Sequence, residues 1–299
     1  MIGVIADDLT GACDSSVPFL GGGAVRVGIW PHVPWGNGLS AVAVSTESRD
    51  ETAEVSCARA AEAAAQLPGA FLYRKLDSML RGNPRADVEV LVGAGRRALV
   101  APALPGEGRV TVGGVQRWAD GQADLRAIFA PIADRVEIVD ATSDADLDPV
   151  ARRVLTEPGL IAAGSAGLAA ALARALGLAA APPGPRPGCE APLAVVGTLA
   201  AVDQAANAQA AGWSVAVAGP GEVPGVTGAD GLVLTGGETA ARVLLAYGGH
   251  GIELLGEPLP RTPLGRVLGG ALGGLPVVLK AGSFGGPDAI IQALEVLHG

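Results

Sequence analysis

The chain alternates short apolar runs with amphipathic, alanine-rich segments. Apolar runs of four to seven residues bounded by turn residues predict buried strands, and an apolar face that recurs every three to four residues predicts a helix. Strands are predicted at Ile2–Ala6, Val25–Trp30, Ala41–Ser45, Ala70–Arg74, Ala98–Ala101, Val136–Val139 and Leu160–Ala162. Helices are predicted between several of them, at Glu51–Gln66, Asp144–Leu155 and Ser165–Leu176. This alternation is typical of an α/β sheet with helices on its faces.

Residues 179–192 contain five prolines and no periodicity, which predicts a linker. Beyond them the alternation resumes. Strands are predicted at Leu193–Val196, Ser214–Val217, Gly231–Thr235, Ile252–Leu255 and Val277–Lys280, with helices from about Ala200, over residues 238–247 and from about Pro287. We therefore predict two α/β domains, residues 1–183 and 184–299. Each is a sheet flanked by helices, with the active site in the cleft between them.

Composition narrows the function classes. The 299 residues suffice for two domains, and 49% hydrophobic with 17% charged residues excludes a disordered chain. Only 3% of the residues are aromatic and the net charge is -9, so neither base stacking nor phosphate attraction favours a nucleic-acid partner. Three scattered histidines disfavour a histidine metal cage or a Ser-His-Asp triad.

Cysteine usage and apolar runs bear on location. Three widely spaced cysteines without a CxxC motif indicate a reducing compartment, and we expect a cytoplasmic protein. The chain starts on a strand pattern with no basic segment before it, so no signal peptide is expected. The most apolar stretch, residues 159–181, is rich in weakly apolar alanine and interrupted by Arg174, so it predicts a helix of a soluble protein, capped by Ser165, and no membrane partner.

Lysine is scarce. Of 21 basic residues only Lys75 and Lys280 are lysines, and both directly follow apolar strand patterns. An ammonium group is a compact point charge that the planar guanidinium does not reproduce. Both lysines therefore become candidates for ligand binding.

The first candidate motif is Asp7-Asp8-Leu9-Thr10-Gly11, directly after the first predicted strand. The carboxyl ends of strands form the ligand crevice of open α/β sheets. Two carboxylates and a hydroxyl there suit a polyol, or Mg²⁺ held through phosphates. The same residues would equally serve as an ordinary helix N-cap.

The second motif covers residues 73–83, YRKLDSMLRGN, after the fourth strand. Lys75 and Arg81 can clamp a small carboxylate, and Asp77 and Ser78 can bind hydroxyl groups. A solvated ion-pair turn is the alternative interpretation. Residues 101–111 follow the next strand, and Arg109 there can point at the same crevice.

Two strand–glycine–helix junctions lie in the second half, at residues 234–240 and 280–288. Glycine-rich turns at helix N-termini present free backbone N–H groups to anions. In a chain with 45 glycines each turn could be purely structural. Two such junctions, one carrying Lys280, favour binding of nucleotide phosphates.

Taken in order, the segments DDLTG, RKLDSMLRG, APALPGEGRVTVGG, GSAGLA, VVGTLAAVD, LTGGETA and KAGSFG resemble the four-carbon acid sugar kinase family. The resemblance implies an N-terminal domain that binds a tetronate such as threonate, erythronate or 3-oxo-tetronate. It also implies a C-terminal domain that binds ATP, with phosphoryl transfer to a hydroxyl of the acid. Mg²⁺ is expected with the nucleotide, but no residue is assigned to the metal. A homodimer is a further expectation.

The resemblance also implies site residues. Contacts with the acid sugar are expected from Asp7, Asp8, Thr10, Lys75, Asp77, Ser78, Arg81 and Arg109. Contacts with ATP are expected from Thr198, Gly236, Gly237, Glu238, Thr239, Lys280, Gly282, Ser283 and Gly285. We expect Asp8 to act as base or metal-linked orienting group and Asp77 as the positioning acceptor, with a pKa depressed by the neighbouring cations.

The chain also departs from the family pattern. It is shorter than usual after Trp118 and between Gly212 and Gly231, and the family's GSxSxxT loop is replaced by residues 197–203, GTLAAVD. Two other functions therefore stay open. One is a kinase acting on a different small hydroxy-acid, and the other is a non-catalytic sensor, which ADP release would distinguish from an enzyme.

Overall fold

The computed structural model describes residues 1–93, 95–197, 199–282 and 284–299. Its strands are β1 (Ile2–Ala6), β2 (Ala24–Ile29), β3 (Leu39–Ser45), β4 (Phe71–Lys75), β5 (Arg97–Ala101), β6 (Val110–Val112), β7 (Val115–Trp118), β8 (Gly121–Asp124), β9 (Val136–Ile138), β10 (Leu160–Gly164), β11 (Pro192–Val196), β12 (Ser214–Val217), β13 (Gly231–Thr235), β14 (Gly251–Leu259), β15 (Thr262–Leu268) and β16 (Pro276–Lys280). Its helices are α1 (Leu9–Ser16), α2 (Ala53–Ala65), α3 (Pro84–Leu91), α4 (Leu125–Phe129), α5 (Leu147–Thr156), α6 (Ala166–Ala175), α7 (Val202–Ala210), α8 (Gly237–Ala246) and α9 (Ala289–His298).

The predicted α/β class is confirmed, with one addition: the two sheets are continuous. Thirteen strands pair in the order β12-β11-β13-β16-β15-β14-β2-β3-β1-β4-β10-β5-β9. We call residues 1–183 the first half of the chain and residues 184–299 the second half. The strands that the first half contributes to this sheet are parallel, and so are β12, β11, β13 and β16 of the second half. The antiparallel hairpin β14–β15 lies between them, and β14 pairs with β2 to join the two halves.

This topology brings two sets of strand ends together. Three antiparallel steps separate β16 from β2, so the parallel strands of the two halves run in opposite directions. Neighbouring strands rotate by about 20–25° each. Over the five steps from β16 to β1 this twist turns the ends of β13 and β16 toward the ends of β1 and β4. Residues that follow these four strands line one cavity.

Most predicted elements lie within a few residues of the observed ones. The sequence pattern missed the helices α1, α3 and α4, the strand β15 and the meander β6–β7–β8. The meander strands have only three or four residues, too few to show a period. Residues 177–191 form neither helix nor strand, as the proline content predicts. Of the helices that the structure describes, none is long and apolar enough to cross a membrane.

A buried polar network fixes the loop that follows β3. Arg74 and Asp87 form an ion pair with only 1% and 2% of their side chains exposed. Asp87 Oδ1 also accepts a hydrogen bond of 2.5 Å from Ser56 Oγ, which lies 3.0 Å from Ser48 Oγ. The backbone N–H of Ser48 in turn donates to the carbonyl of Asp7 at 3.0 Å. The network thus ties α2, α3 and β4 to the end of β1.

We expect Asp87→Ala to lower the free energy of unfolding by about 3–5 kcal/mol, because it leaves the Arg74 guanidinium buried without its anion. Glu89→Ala is the matched control, because Glu89 lies on the same helix in a half-exposed pair with Arg85. Such a pair is worth at most about 1 kcal/mol. Urea unfolding of both variants measures the difference, and equally small losses would show that the buried pair is not required.

Candidate functional site

The cavity between the two halves has a volume of about 180 Å³. Its wall contains Asp8, Lys75 and Arg109 from the first half and Gly236, Gly237 and Phe284 from the second. This volume fits a small metabolite.

Positive charge dominates the cavity wall. Five cationic side chains line it, against three carboxylates: Arg49, Lys75, Arg81, Arg109 and Arg261 face Asp8, Asp14 and Asp77. The chain as a whole carries a net charge of -9, so this excess is local. A concave site with surplus positive charge favours an anionic ligand.

Asp8 caps helix α1 and lines the cavity at the same time. Its Oδ1 accepts a hydrogen bond of 3.0 Å from the backbone N–H of Gly11, and its Oδ2 accepts one of 2.7 Å from Thr10 Oγ1. Asp8 is thus the N-cap that one interpretation of the motif predicted, and it also lies in the crevice where the other interpretation places it. Capping fixes the carboxylate where strand β1 ends.

Arg49, which the sequence analysis missed, organises the two adjacent aspartates. Its Nε and Nη2 each lie 2.8 Å from Asp7, and Nη2 lies 2.7 Å from Asp8 Oδ1. Burial raises the pKa of Asp8, but the charges of Arg49 and Lys75 outweigh it and hold the pKa below its ordinary value. Asp7 does not line the cavity, so Asp8 is the member of the pair that faces it.

Asp77 is held by the turn that follows it. It accepts hydrogen bonds from the backbone N–H groups of Met79 and Arg81 and from Arg81 Nε and Nη2, at 2.8–3.2 Å. Burial raises the pKa of Asp77, but these bonds and the charges of Arg49 and Lys75 bring it well below its usual range. The expected depression is confirmed.

Arg81 forms an ion pair with Asp77, which was not expected from the sequence. We expected its guanidinium to clamp a ligand carboxylate together with Lys75. Its Nε and Nη2 instead hold Asp77, which lies four residues earlier in the same turn and within easy reach. Arg81 therefore orients Asp77, although half of its side chain stays exposed at the cavity.

Lys75 is a buried cation of the cavity wall. It is 6% exposed, and within the described residues its ammonium has no hydrogen-bond or ion-pair partner. A Cβ added to Gly11 would lie 2.9 Å from its Nζ, so a larger residue in α1 would crowd the ammonium. A buried charge without a protein partner is costly. An anion in the cavity would remove that cost.

Arg109 connects the halves, as its predicted place in the crevice requires. Its Nη1 donates a hydrogen bond of 2.5 Å to Ser78 Oγ, and its guanidinium carbon lies 4.7 Å from the centre of the Phe284 ring. Gln116 donates to the Ser78 carbonyl at 2.8 Å and fixes the same turn. A cation–π contact thus spans the cavity between a loop of the first half and the segment after β16.

The N-terminus of α8 abuts Asp8. Gly236 precedes the helix with φ at +83°, and a Cβ added to Gly237 would overlap Asp8 Oδ2. Only glycine permits this approach. The positive end of the helix dipole therefore lies beside the cavity. Glu238 points outward to pair with Arg242, and Thr239 is buried against Gly197.

The segment after β16 places its residues differently. Gly282 lines the cavity, but Lys280 lies beneath the turn, with Nζ 3.2 Å from the Ala281 carbonyl oxygen. Burial lowers the pKa of Lys280 to about 8. Gly285 has φ at +87°, and its carbonyl accepts a hydrogen bond from Gln204. Thr198 and Ser283 lie outside the described residues.

Two buried polar atoms near these turns have no hydrogen-bond partner among the residues that the structure describes. They are Thr235 Oγ1, beside Gly236, and Gln204 Oε1. Together with the glycine turns they suit the polar groups of a nucleotide. In the part of the chain that the structure describes, no group of three or more His, Cys, Asp or Glu side chains is arranged to hold a metal ion.

Comparison with known protein families finds a matching domain for each half of the chain. Residues 2–124 match a sugar-binding N-terminal domain, and residues 190–290 match a nucleotide-binding C-terminal domain. The D-threonate kinase of Bordetella bronchiseptica is 30% identical over 409 aligned positions, which cover 99% of this chain and 97% of the relative. The D-threonate kinase of Cupriavidus necator is also 30% identical, over 98% of this chain and 97% of its own.

The chain belongs to the four-carbon acid sugar kinase family. The alignment of 409 positions exceeds the 299 residues of this chain, so the shortening expected from the sequence is confirmed. The D-erythronate kinase of Heliobacterium modesticaldum is a further relative, 35% identical over 37% of this chain.

Solved structures agree with this family fold. A crystal structure of a domain of unknown function from Bordetella bronchiseptica, with bound citrate and described as a domain-swapped dimer, has a TM-score of 0.53 and 28% identity. It covers 99% of this chain and 98% of its own. A Salmonella typhimurium structure described as a putative tRNA synthase has a TM-score of 0.73 and covers 98% of both chains. At 20% identity it supports the fold alone.

The lowered pKa of Lys280 predicts a pH-dependent stability. Between about pH 8 and 10.5 the unfolded chain keeps a proton on Lys280 that the folded protein has released, so this residue makes stability rise with pH. We therefore expect Lys280→Met to be more stable than the wild type at pH 7.5 and to lose that advantage by pH 10. Denaturant unfolding at both pH values measures the gap, and a gap independent of pH would contradict the assignment.

Proposed function

We propose that this protein is an ATP-dependent kinase that phosphorylates a hydroxyl group of a four-carbon acid sugar. In this proposal residues 1–183 bind the acid and residues 184–299 bind the nucleotide. The observation that carries the proposal is the shared cavity, where the unpartnered Lys75 ammonium and the N-terminus of α8 lie on either side of Asp8. The names of the relatives support the same substrate class.

In this proposal the carboxylate and the hydroxyl groups of the acid are each bound by a side chain of the cavity. Lys75 binds the carboxylate, because its buried ammonium lines the cavity and forms no hydrogen bond or ion pair with the described residues. Asp8, Thr10, Asp77 and Ser78 bind the hydroxyl groups. Asp7 and Arg81 act through others, since Asp7 holds Arg49 and Arg81 holds Asp77. Arg109 lies buried in the cavity wall, where it contacts Ser78 of the first half and Phe284 of the second.

The nucleotide is proposed to place its terminal phosphate at the α8 N-terminus. Its contacts would come from Thr198, Gly236, Gly237, Glu238, Thr239, Lys280, Gly282, Ser283 and Gly285. Mg²⁺ would arrive with ATP as part of the substrate, because the described residues offer no three-ligand cage. Kinases commonly hold this ion through the phosphates and one or two carboxylates.

Asp8 is proposed to orient the attacking hydroxyl. Its lowered pKa keeps it ionised, so it accepts a hydrogen bond and takes the proton only as transfer proceeds. The acceptor oxygen bonds to the γ-phosphorus, the bond from that phosphorus to the β-phosphate oxygen breaks, and ADP leaves. The proton passes through Asp8 to solvent. Positioning and charge neutralisation account for most of the catalysis in such reactions.

Two further proposals concern context. A homodimer is supported by the domain-swapped dimer of the Bordetella bronchiseptica structure. A cytoplasmic location is supported by three cysteines that stay free, two of them buried. A reducing compartment keeps such thiols unpaired.

The kinase proposal is tested by ADP release with four- to six-carbon aldonates. Asp8→Asn should lower kcat by about 100-fold with little change in KM, because it removes the proton acceptor. Asp77→Asn should raise KM more than it lowers kcat, because it removes a hydroxyl acceptor. Asp134→Asn, at a side chain that is 82% exposed, should match the wild type.

Other outcomes would redirect the proposal. ADP release only with acids of another class would indicate a kinase of a different hydroxy-acid. Binding of acid and nucleotide without ADP release would indicate a sensor. The reverse kinetic pattern would exchange the roles of Asp8 and Asp77.

A further inference from the structure

The hairpin β14–β15 carries an arginine into the cavity. Its two connecting residues are Pro260 and Arg261, and Arg261 has φ at +57°. That left-handed conformation costs a non-glycine residue free energy and costs glycine almost none. Residues held in such conformations cluster where their side chains have a function. A glycine would suit this turn better, so the arginine side chain itself needs an explanation.

The side chain of Arg261 crosses from the second half to the first. Its Nη1 lies 3.3 Å from Asp14 Oδ1 on α1, and its Nε lies 3.9 Å from Glu107 Oε1. The Arg261 backbone N–H donates to Glu257 Oε1 at 2.9 Å, which fixes the turn. The Arg261 side chain is 21% exposed and lines the cavity.

Arg261 closes the end of the cavity opposite Asp8. Asp8, Gly11 and Asp14 all line the cavity, at intervals of three residues along α1. Asp8 and Asp14 are about 9 Å apart along the helix axis at 1.5 Å per residue. Lys75 contacts the middle position, Gly11, and Arg261 contacts the far one. The α8 N-terminus abuts Asp8, so phosphoryl transfer is proposed at the end remote from Arg261.

We propose that Arg261 is a specificity-determining residue that binds the carboxylate of the acid from the side opposite Lys75 and so limits the acid to about four carbons. This inference rests on the proposed function. An acid with its reacting hydroxyl at Asp8 extends along α1 toward Lys75 and Arg261. Each added carbon lengthens an extended chain by about 1.2 Å. A longer acid must therefore push its carboxylate into the Arg261–Asp14 pair, where Asp14 repels it.

The test uses Arg261→Gly, which removes the guanidinium and suits the positive φ of the turn. We expect this variant to fold, because the strain is relieved and Asp14 faces a cavity open to water. Its kcat/KM for four-carbon acids should fall by about tenfold or more. Its kcat/KM for five- and six-carbon acids should stay the same or rise. The ratio of kcat/KM for four-carbon acids to kcat/KM for longer acids should therefore fall. For Arg261→Lys this ratio should lie between the values for Arg261→Gly and the wild type.

Arg266→Ala is the matched control, since Arg266 is an exposed arginine of the same hairpin, and it should keep the wild-type ratio. Calorimetric affinities of nucleotide-free protein for the same acids provide a readout besides turnover. An unchanged ratio of affinities and of kcat/KM in folded Arg261→Gly overturns the inference. Binding of acids without ADP release contradicts the proposed function, while the affinity ratio still decides the role of Arg261. A wild type that binds no acid overturns both.

Discussion

Three aspartates converge at the ends of β1 and β4, and their mutual repulsion must be neutralised before the site can form. Arg49 lies within 2.8 Å of Asp7 and Asp8 and 3.9 Å from Asp77. Arg81 takes up the remaining charge of Asp77. Two cations thus pair with three carboxylates, and the charge of Lys75 lowers the pKa of Asp8 and Asp77 as well, while its ammonium lines the cavity.

The position of Arg49 depends in turn on the core beneath it. The Arg49 loop starts where β3 ends, and Ser48 connects it through Ser56 to the buried Arg74–Asp87 pair. A buried ion pair is often no more stabilising than apolar residues of equal volume. Its directional bonds instead give the loop one defined path. In this protein the polar network below the sheet edge sets the geometry of the charges above it.

The second half contributes shape more than charge to the described wall. Gly237 lets α8 approach Asp8, and Phe284 stacks on Arg109. Arg261 is its one cationic side chain among the described residues of the cavity wall. The proposed acid and nucleotide therefore meet where the N-terminus of α8 abuts the Asp8 carboxylate. Because these groups are already oriented, they do not have to reorient during the reaction as water molecules would.

Local motifs could be predicted from the sequence, and long-range partners could not. The scarcity of lysine and the DDLTG and KLDSMLRG segments identified Asp8, Lys75 and Asp77, because strand ends share one edge of a parallel sheet. Arg49 is 41 residues from Asp8 in an ordinary polar turn, so no local spacing marks it. The pairing of Arg81 with Asp77 depends on side-chain geometry that the sequence pattern does not contain.

Larger features were missed for related reasons. The joining of two sheets by β14 and β2 is a contact between residues about 225 positions apart, which periodicity cannot reveal. Arg261 followed a proline in a segment that predicted no strand, so the hairpin that carries it into the cavity was not expected. The continuous apolar strands, in contrast, were predicted to within a few residues, because burial on both faces leaves a strong local pattern.

The central claim is that the two halves of the chain hold different ligands, the acid beside Lys75 and the nucleotide beside Lys280, whose reacting groups meet at Asp8. Calorimetry of Lys75→Ala and Lys280→Ala with ATP and with a four-carbon acid tests it most directly. Loss of one charge-assisted contact costs about 2–3 kcal/mol, or about a hundredfold in affinity. Lys75→Ala should lose that affinity for the acid and keep ATP binding, and Lys280→Ala should do the reverse. Equal loss of both ligands in either variant, or an unchanged affinity of Lys75→Ala for the acid, would contradict the account.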